Sequence, residues 1–278
     1  MKKGLSRRDF LKVSAAGALG VATMGAQVAM AQEDEKKEAA VKPSVPGVSG
    51  VLDRAKLEKK AWNDPNVLLK VRWSGVNFYE FVLPNGKTIV MDPYFDDPND
   101  EHNEYKYTPT DLPGGEWVHG ADVVLLTHGH FDHAGGAAEV AAHFGIKVYA
   151  EEHERETIDD PKLNLSGWAG AETTYHADVF LKDEQEFDLA GFHIRVLFTP
   201  GHTVGGCCYY FAYQDTLFSG DTLFAQSVGR TDFPKGSASA LIRGIKEKLL
   251  PLPDEVTVYT GHNDTTTIGT ERRYNPYL

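Results

Sequence analysis

Apolar runs and apolar/polar alternation recur along the chain at Leu68–Trp73, Phe78–Leu83, Thr88–Met91, Val123–Thr127, Ile146–Ala150, Phe192–Phe198, Cys207–Tyr213, Thr216–Ser219 and Val256–Thr260. Runs this short, rich in β-branched and aromatic residues and bounded by turn formers, predict strands. Pro84-Asn85-Gly86 lies between two of them as a hairpin turn signal. Helical spacing is present at Gly136–Phe144 and at Ala238–Leu250, where Leu241, Ile245, Lys248 and Leu249 share a face, and Leu52–Ala61 predicts a further short helix. Strands mixed with outer helices imply an α/β fold built of layered sheets. Two segments without clear periodicity, Tyr94–Gly120 and Leu163–Phe180, read as long loops. The first carries Tyr94, Phe95, Tyr105, Tyr107 and Trp117, the second Trp168 and Tyr175, as a substrate wall or a satellite core, with the wall favoured.

The N-terminus departs from this pattern. Lys2 and Lys3, then Ser6-Arg7-Arg8-Asp9-Phe10-Leu11-Lys12, an Ala/Gly-rich stretch and Ala29-Met30-Ala31 resemble a twin-arginine signal peptide over residues 1–31, with Arg7 and Arg8 as the recognised pair and cleavage before Gln32. The resemblance implies passage through the twin-arginine machinery as folded cargo to the periplasm or the exterior. The alternative, an uncleaved membrane anchor, is disfavoured because Val13–Ala31 is rich in Ala and Gly and includes Thr23. Residues 32–50 pass from a charged run to Pro43-Ser44-Val45-Pro46-Gly47 and read as a flexible linker. Residues 51–278 then form the folded domain, of which about 210–220 residues suffice for one sizeable core.

The whole chain has a formal net charge of −12. Cleavage at Gln32 would remove five of its 28 basic and one of its 40 acidic residues, leaving −16. Such a surface repels nucleic acid and argues against a nuclease. The two cysteines, Cys207 and Cys208, are adjacent within an apolar run, so they imply buried packing rather than a disulfide framework.

Candidate chemistry is concentrated in Thr127-His128-Gly129-His130-Phe131-Asp132-His133, immediately after the apolar run 122–126. Three imidazoles and a carboxylate on one loop suit divalent metal ions, which bind nitrogen and oxygen at about 2.0–2.2 Å. Further candidates each follow a short β-like run: His202 in Pro200-Gly201-His202-Thr203, Asp221 in Ser219-Gly220-Asp221-Thr222 and His262 in Thr260-Gly261-His262-Asn263. His102, His119, His143, His153, His176 and His193 are read as surface or packing residues.

The H-x-H-x-D-H spacing, with the later histidines and aspartate in order, resembles the metallo-β-lactamase superfamily. That resemblance implies a four-layer αββα sandwich with metals at one sheet edge. It places His128, His130 and His202 around one metal and Asp132, His133 and His262 around a second, with Asp221 bridging them. Asp92, in Ile89-Val90-Met91-Asp92-Pro93, matches a supporting aspartate behind the ligands. The implied cofactors are two divalent ions, Zn²⁺ first, with Fe or Mn as alternatives.

Gly220-Asp221-Thr222-Leu223-Phe224, Val228-Gly229-Arg230-Thr231-Asp232-Phe233-Pro234 and the run from Gly261 to Glu271 are similar to the glyoxalase II-like branch, in a short form without its C-terminal helical domain. The branch implies hydrolysis of a small-molecule thioester, ester or lactone by a metal-bound hydroxide. Asp132 would orient the nucleophile, and Arg230 would position an anionic substrate or pair with Asp232. No G-x-S-x-G nucleophile elbow is present, in keeping with that chemistry. The rival is a mononuclear iron persulfide dioxygenase using His128, His202 and Asp221. A non-catalytic metal-containing binding protein is the alternative of a different class.

Overall fold

Alternate residues of single strands enter different cores, and this decides the architecture. In Cys207–Phe211, Cys207, Tyr209 and Phe211 join one buried cluster while Cys208 and Tyr210 join another. In Thr88–Met91, Ile89 and Met91 face the first of these clusters and Val90 a third. A strand whose side chains point alternately to two faces, both of them buried, lies in the interior of a layered stack.

The computed structural model describes residues 40–41, 52–53, 70–73, 77–82, 87–94, 121–170, 172–262 and 264–278. The expectations for residues 1–31 and for most of 32–69 and 95–120 lie outside them. Ala40–Val41 pairs antiparallel with Leu52–Asp53, so the start of the helix expected over Leu52–Ala61 is extended.

Two six-stranded sheets form the body among the described residues. The first runs, in spatial and sequence order, β1 (Lys70–Trp73), β2 (Tyr79–Val82), β3 (Thr88–Met91), β4 (Val123–Leu125), β5 (Val148–Glu151) and β6 (Val179–Leu181). β1, β2 and β3 pair antiparallel, and β3 to β6 are parallel. The second contains β7 (Glu186–Leu189), β8 (Phe192–Phe198), β9 (Cys207–Phe211), β10 (Thr216–Gly220), β13 (Thr257–Thr260) and β14 (Thr266–Thr267). Its spatial order is β14-β13-β10-β9-β8-β7, with β10 and β13 parallel and the other pairs antiparallel. A small ribbon, β11 (Leu223–Phe224) with β12 (Ser227–Val228), stands apart.

Between the sheets lie Phe81, Ile89, Met91 and Leu125 from the first and Ile194, Val196, Tyr209, Phe211 and Phe218 from the second. α1 (Phe131–Ala134) and α2 (Ala137–Phe144) belong to the layer outside the first sheet, where Ala134, Ala137 and Val140 pack on Val90, Val124 and Val148. α4 (Ala238–Gly244), continued as a π-helical turn over Ile245–Leu249, covers the second sheet by burying Leu241, Ile245 and Leu249 against Leu197, Cys208, Leu217 and Val258. α5 (Ile268–Tyr274) adds Ile268 to that core, and α3 (Arg155–Asp159) follows β5 through a 3-10 turn at Glu152–Glu154. The layers are therefore αββα.

Several boundaries differ from expectation. Val179–Leu181 is a strand, so the expected loop to Phe180 ends earlier. The run to Tyr213 stops pairing at Phe211, because Ala212–Gln214 turns as a 3-10 helix into Asp215 at φ 46°. Lys248 does not join the apolar face of its helix but pairs with Asp183.

Candidate metal centre

β8, β10 and β13 run in the same direction and end at one edge of their sheet, where β4 of the first sheet also ends. Each of these ends is followed within a few residues by a candidate ligand: His128, His202, Asp221 and His262. The loop after β4 turns at once into α1, whose first turn places Asp132 and His133 beside His128 and His130. Cys207 donates its backbone N–H to the carbonyl of Thr127, tying the loop to β9. Gly261 lets the β13 end approach: a Cβ there would collide with the Asp221 carboxylate.

All seven residues converge. Nδ1 of His130 lies 3.1 Å from Nε2 of His128 and 3.0 Å from Nε2 of His202. On the other side Nε2 of His262 is 3.4 Å from the Asp132 carboxylate. Asp221 stands between the sets, 3.4 Å from Nε2 of His133 and 3.5 Å from Nε2 of both His202 and His262. Potential ligand atoms lie within 4.8 Å of one another in the sets His128/His130/His202, His128/His133/Asp221 and Asp132/His133/His262.

The donor atoms fit a cation better than one another. Three imidazole nitrogens facing one point cannot all be satisfied by shared protons. Asp132 Oδ1, His133 Nε2, Asp221 Oδ1 and His262 Nε2 are buried without a hydrogen-bond partner, an expensive arrangement unless something else fills the space.

Hydrogen bonds behind the cluster fix the rings. Asp92, at φ 46°, accepts from the Thr127 N–H at 2.7 Å and the Thr127 hydroxyl at 2.6 Å, and from Nδ1 of His133 at 3.0 Å. Nδ1 of His202 donates to the Arg230 carbonyl at 2.8 Å. Such outer partners set the tautomer, leaving Nε2 to face the centre.

Electrostatics divide the cluster. Burial, reinforced by neighbouring imidazoles, holds His128 and His130 well below the usual histidine range, and burial also lowers His202. These three are neutral and have lone pairs available. Burial acts the same way on His133 and His262, but carboxylates outweigh it. Asp221 and Asp92 raise His133, while Asp221 and Asp132 bring His262 to about 9. Reciprocally, the His133 and His262 charges overcome burial and hold Asp221 well below its ordinary value.

Other expected residues separate in place. The Arg230 guanidinium grips Asp232 through Nε and Nη2, both at 2.6 Å, and lies 4.3 Å from the Phe233 ring centroid, so of its two expected roles the ion pair is the one displayed. Phe233 lies 5.2 Å from the His130 ring and 5.8 Å from that of Trp168, which is 44% exposed. Tyr175 instead packs against the cores beside α2 and around Leu165. His153, His176 and His193 pair with Glu151, Asp178 and Asp188, away from the cluster. His102 and His119 lie outside the described residues.

Sequence reasoning passed over several supports. Tyr209 donates its hydroxyl to the Leu126 carbonyl and Tyr79 to that of Thr260, each at 2.9 Å, steadying strand ends that precede ligand candidates. Asn77 donates to the carbonyl of Asp132 at 2.5 Å. The two tyrosines lie within apolar runs, which points to packing, and Asn77 stands just ahead of one.

Comparison with known proteins agrees with this geometry. Residues 121–262, just over half of the chain, match the family model of the metallo-beta-lactamase superfamily, and residues 4–24 match that of the twin-arginine translocation pathway signal sequence. The chain is 41% identical over 157 residues to the probable metallo-hydrolase YqgX of Bacillus subtilis (strain 168), spanning 56% of this chain and 74% of that protein. It is 39% identical over 162 residues to the hydroxyacylglutathione hydrolase GloC of Haemophilus influenzae, spanning 56% and 75%. The crystal structure of the BLEG-1 B3 metallo-beta-lactamase superposes with a TM-score of 0.62 at 36% identity, covering 76% of this chain and 99% of that one.

Proposed function

The chain belongs to the metallo-beta-lactamase superfamily, and from that premise we propose that it is an exported hydrolase of thioester, ester or lactone bonds working with two divalent metal ions. The observation that carries this reading is Asp221, set 3.4–3.5 Å from histidines of both ligand sets. His128, His130 and His202 would hold one ion, Asp132, His133 and His262 the other, and Asp221 both. Zn²⁺ suits the donors, and Fe or Mn would also be accepted. Ions held there supply Lewis acidity, lowering the pKa of water from 15.7 to about 7 and polarising a carbonyl.

The chain's own residues supply orientation. Oδ1 of Asp132, buried without a hydrogen-bond partner, would accept a hydrogen bond from the attacking water and orient it. Asp92 and the Arg230 carbonyl hold His133 and His202 in register. In the reaction a C–O bond forms at the acyl carbon and the bond to sulfur or oxygen breaks, the leaving group departing with a proton. Similarity to a hydroxyacylglutathione hydrolase supports an acyl thioester, and the signal match supports action in the periplasm or outside the cell.

The metal-loaded protein should therefore hydrolyse a thioester without oxygen. Asp132→Asn should lower kcat about 10²- to 10³-fold, the equivalent of a few kcal/mol of transition-state stabilisation. A panel of thioester, lactone, β-lactam and persulfide decides the matter: oxygen uptake with the persulfide and no anaerobic hydrolysis would reassign the chain as a dioxygenase.

A further inference from the structure

Glu154 is buried to 1% exposure beneath the candidate centre, at the end of the 3-10 turn after β5. One carboxylate oxygen accepts the backbone N–H of Gly129 at 2.8 Å, and the other accepts the Thr203 hydroxyl at 2.9 Å. Gly205 and Thr157 also border it. Gly129 lies between His128 and His130, and Thr203 follows His202. One side chain thus joins two loops from different sheets, each of which brings histidines to the same point. The fit leaves no slack, since a Cβ on Gly205 would collide with the Glu154 backbone.

Resting on the two-metal reading above, we propose that Glu154 is the positioning residue of the first metal site, holding the His128/His130 loop at a fixed distance from the His202 loop. The 3.0 Å approach of His130 Nδ1 to His202 Nε2 crosses the seam that this carboxylate spans. Two donors on two loops, the Gly129 N–H and the Thr203 hydroxyl, are met by the two oxygens of one side chain at the seam. Within Glu151-Glu152-His153-Glu154-Arg155-Glu156 nothing in the residue pattern distinguishes this glutamate from the exposed Glu152 and Glu156.

The test is the affinity of each site for Zn²⁺, measured by chelator competition on the full chain. Glu154→Ala should weaken the first site about 10- to 100-fold, as losses behind a ligand do, and leave the second within about threefold. Glu154→Gln should recover most of the loss, its carbonyl accepting from Gly129 and its amide donating to the Thr203 hydroxyl. Should Glu154→Ala fail to fold, Thr203→Val removes one arm and should still weaken the first site selectively. Unchanged first-site affinity in Thr203→Val or in folded Glu154→Ala, or equal weakening of both sites, overturns the clamp while the two-metal reading stands. A wild-type protein whose Zn²⁺ uptake is indifferent to His202→Ala would instead overturn that reading, and the clamp with it.

Discussion

Seven side chains meet in the candidate centre, and they differ in the work a cation must do to bind. His128, His130 and His202 are kept neutral by burial, whereas His262, at about 9, holds its proton at neutral pH between Asp221 and Asp132. Loading beside His262 must displace that proton. His133, raised above the usual range by Asp221 and Asp92, belongs to the same set and must also give up a proton, so affinity of the second site should climb with pH through about 9 without levelling there, with the first site nearly flat near neutrality. Calorimetry in buffers of different ionisation enthalpy should show proton release with the second equivalent of Zn²⁺ only, and equal release in both steps would contradict the assignment. Substitution separates the sites as well. His202→Ala should empty mainly the first and His262→Ala mainly the second, as elemental analysis would report. One ion in the wild type, unaffected by His262→Ala, would favour mononuclear chemistry.

At the scale of elements, the helix that covers the second sheet has a double task. Leu241 fills the outer core, and the helix start braces the turn before His202, where Ser237 donates its N–H to the Gly201 carbonyl at 2.8 Å. Leu241→Ala should cost about 2–5 kcal/mol of unfolding free energy, and a loss under about 1 kcal/mol in denaturant melts would show that this core can collapse. Period and run length made Thr88–Met91, Phe192–Phe198 and α2 legible in the sequence, because burial on a strand face or helix stripe leaves a repeat. Glu186–Leu189 left a weak one: it is an edge strand with alternate residues exposed. α5 was hidden for another reason. It is seven residues long, capped by Thr267, and follows directly on a motif that draws attention to ligands. The ligand candidates were readable as residue types at strand ends, whereas Glu154, Asn77 and the tyrosine hydroxyls join segments far apart in the chain and leave no local trace.

For the whole molecule, the match of residues 4–24 to a twin-arginine signal makes export a property to be tested in the intact precursor. Replacing Arg7 and Arg8 together by Lys should trap the precursor inside the cell, and fractionation showing unchanged export would remove the assignment. Mass spectrometry of the exported form should find Gln32 first. The layout of the centre bears on that passage. Its donors come from the ends of four strands in two sheets and span residues 128 to 262, so a chain that stops before His262 lacks a member of the second set. Synthesis halted before β13, or halves closed out of register, yields a molecule unable to fill both positions. If the precursor takes the route that its signal match suggests, ion content would act as a certificate of finished manufacture, stamped before a gate that admits only folded cargo.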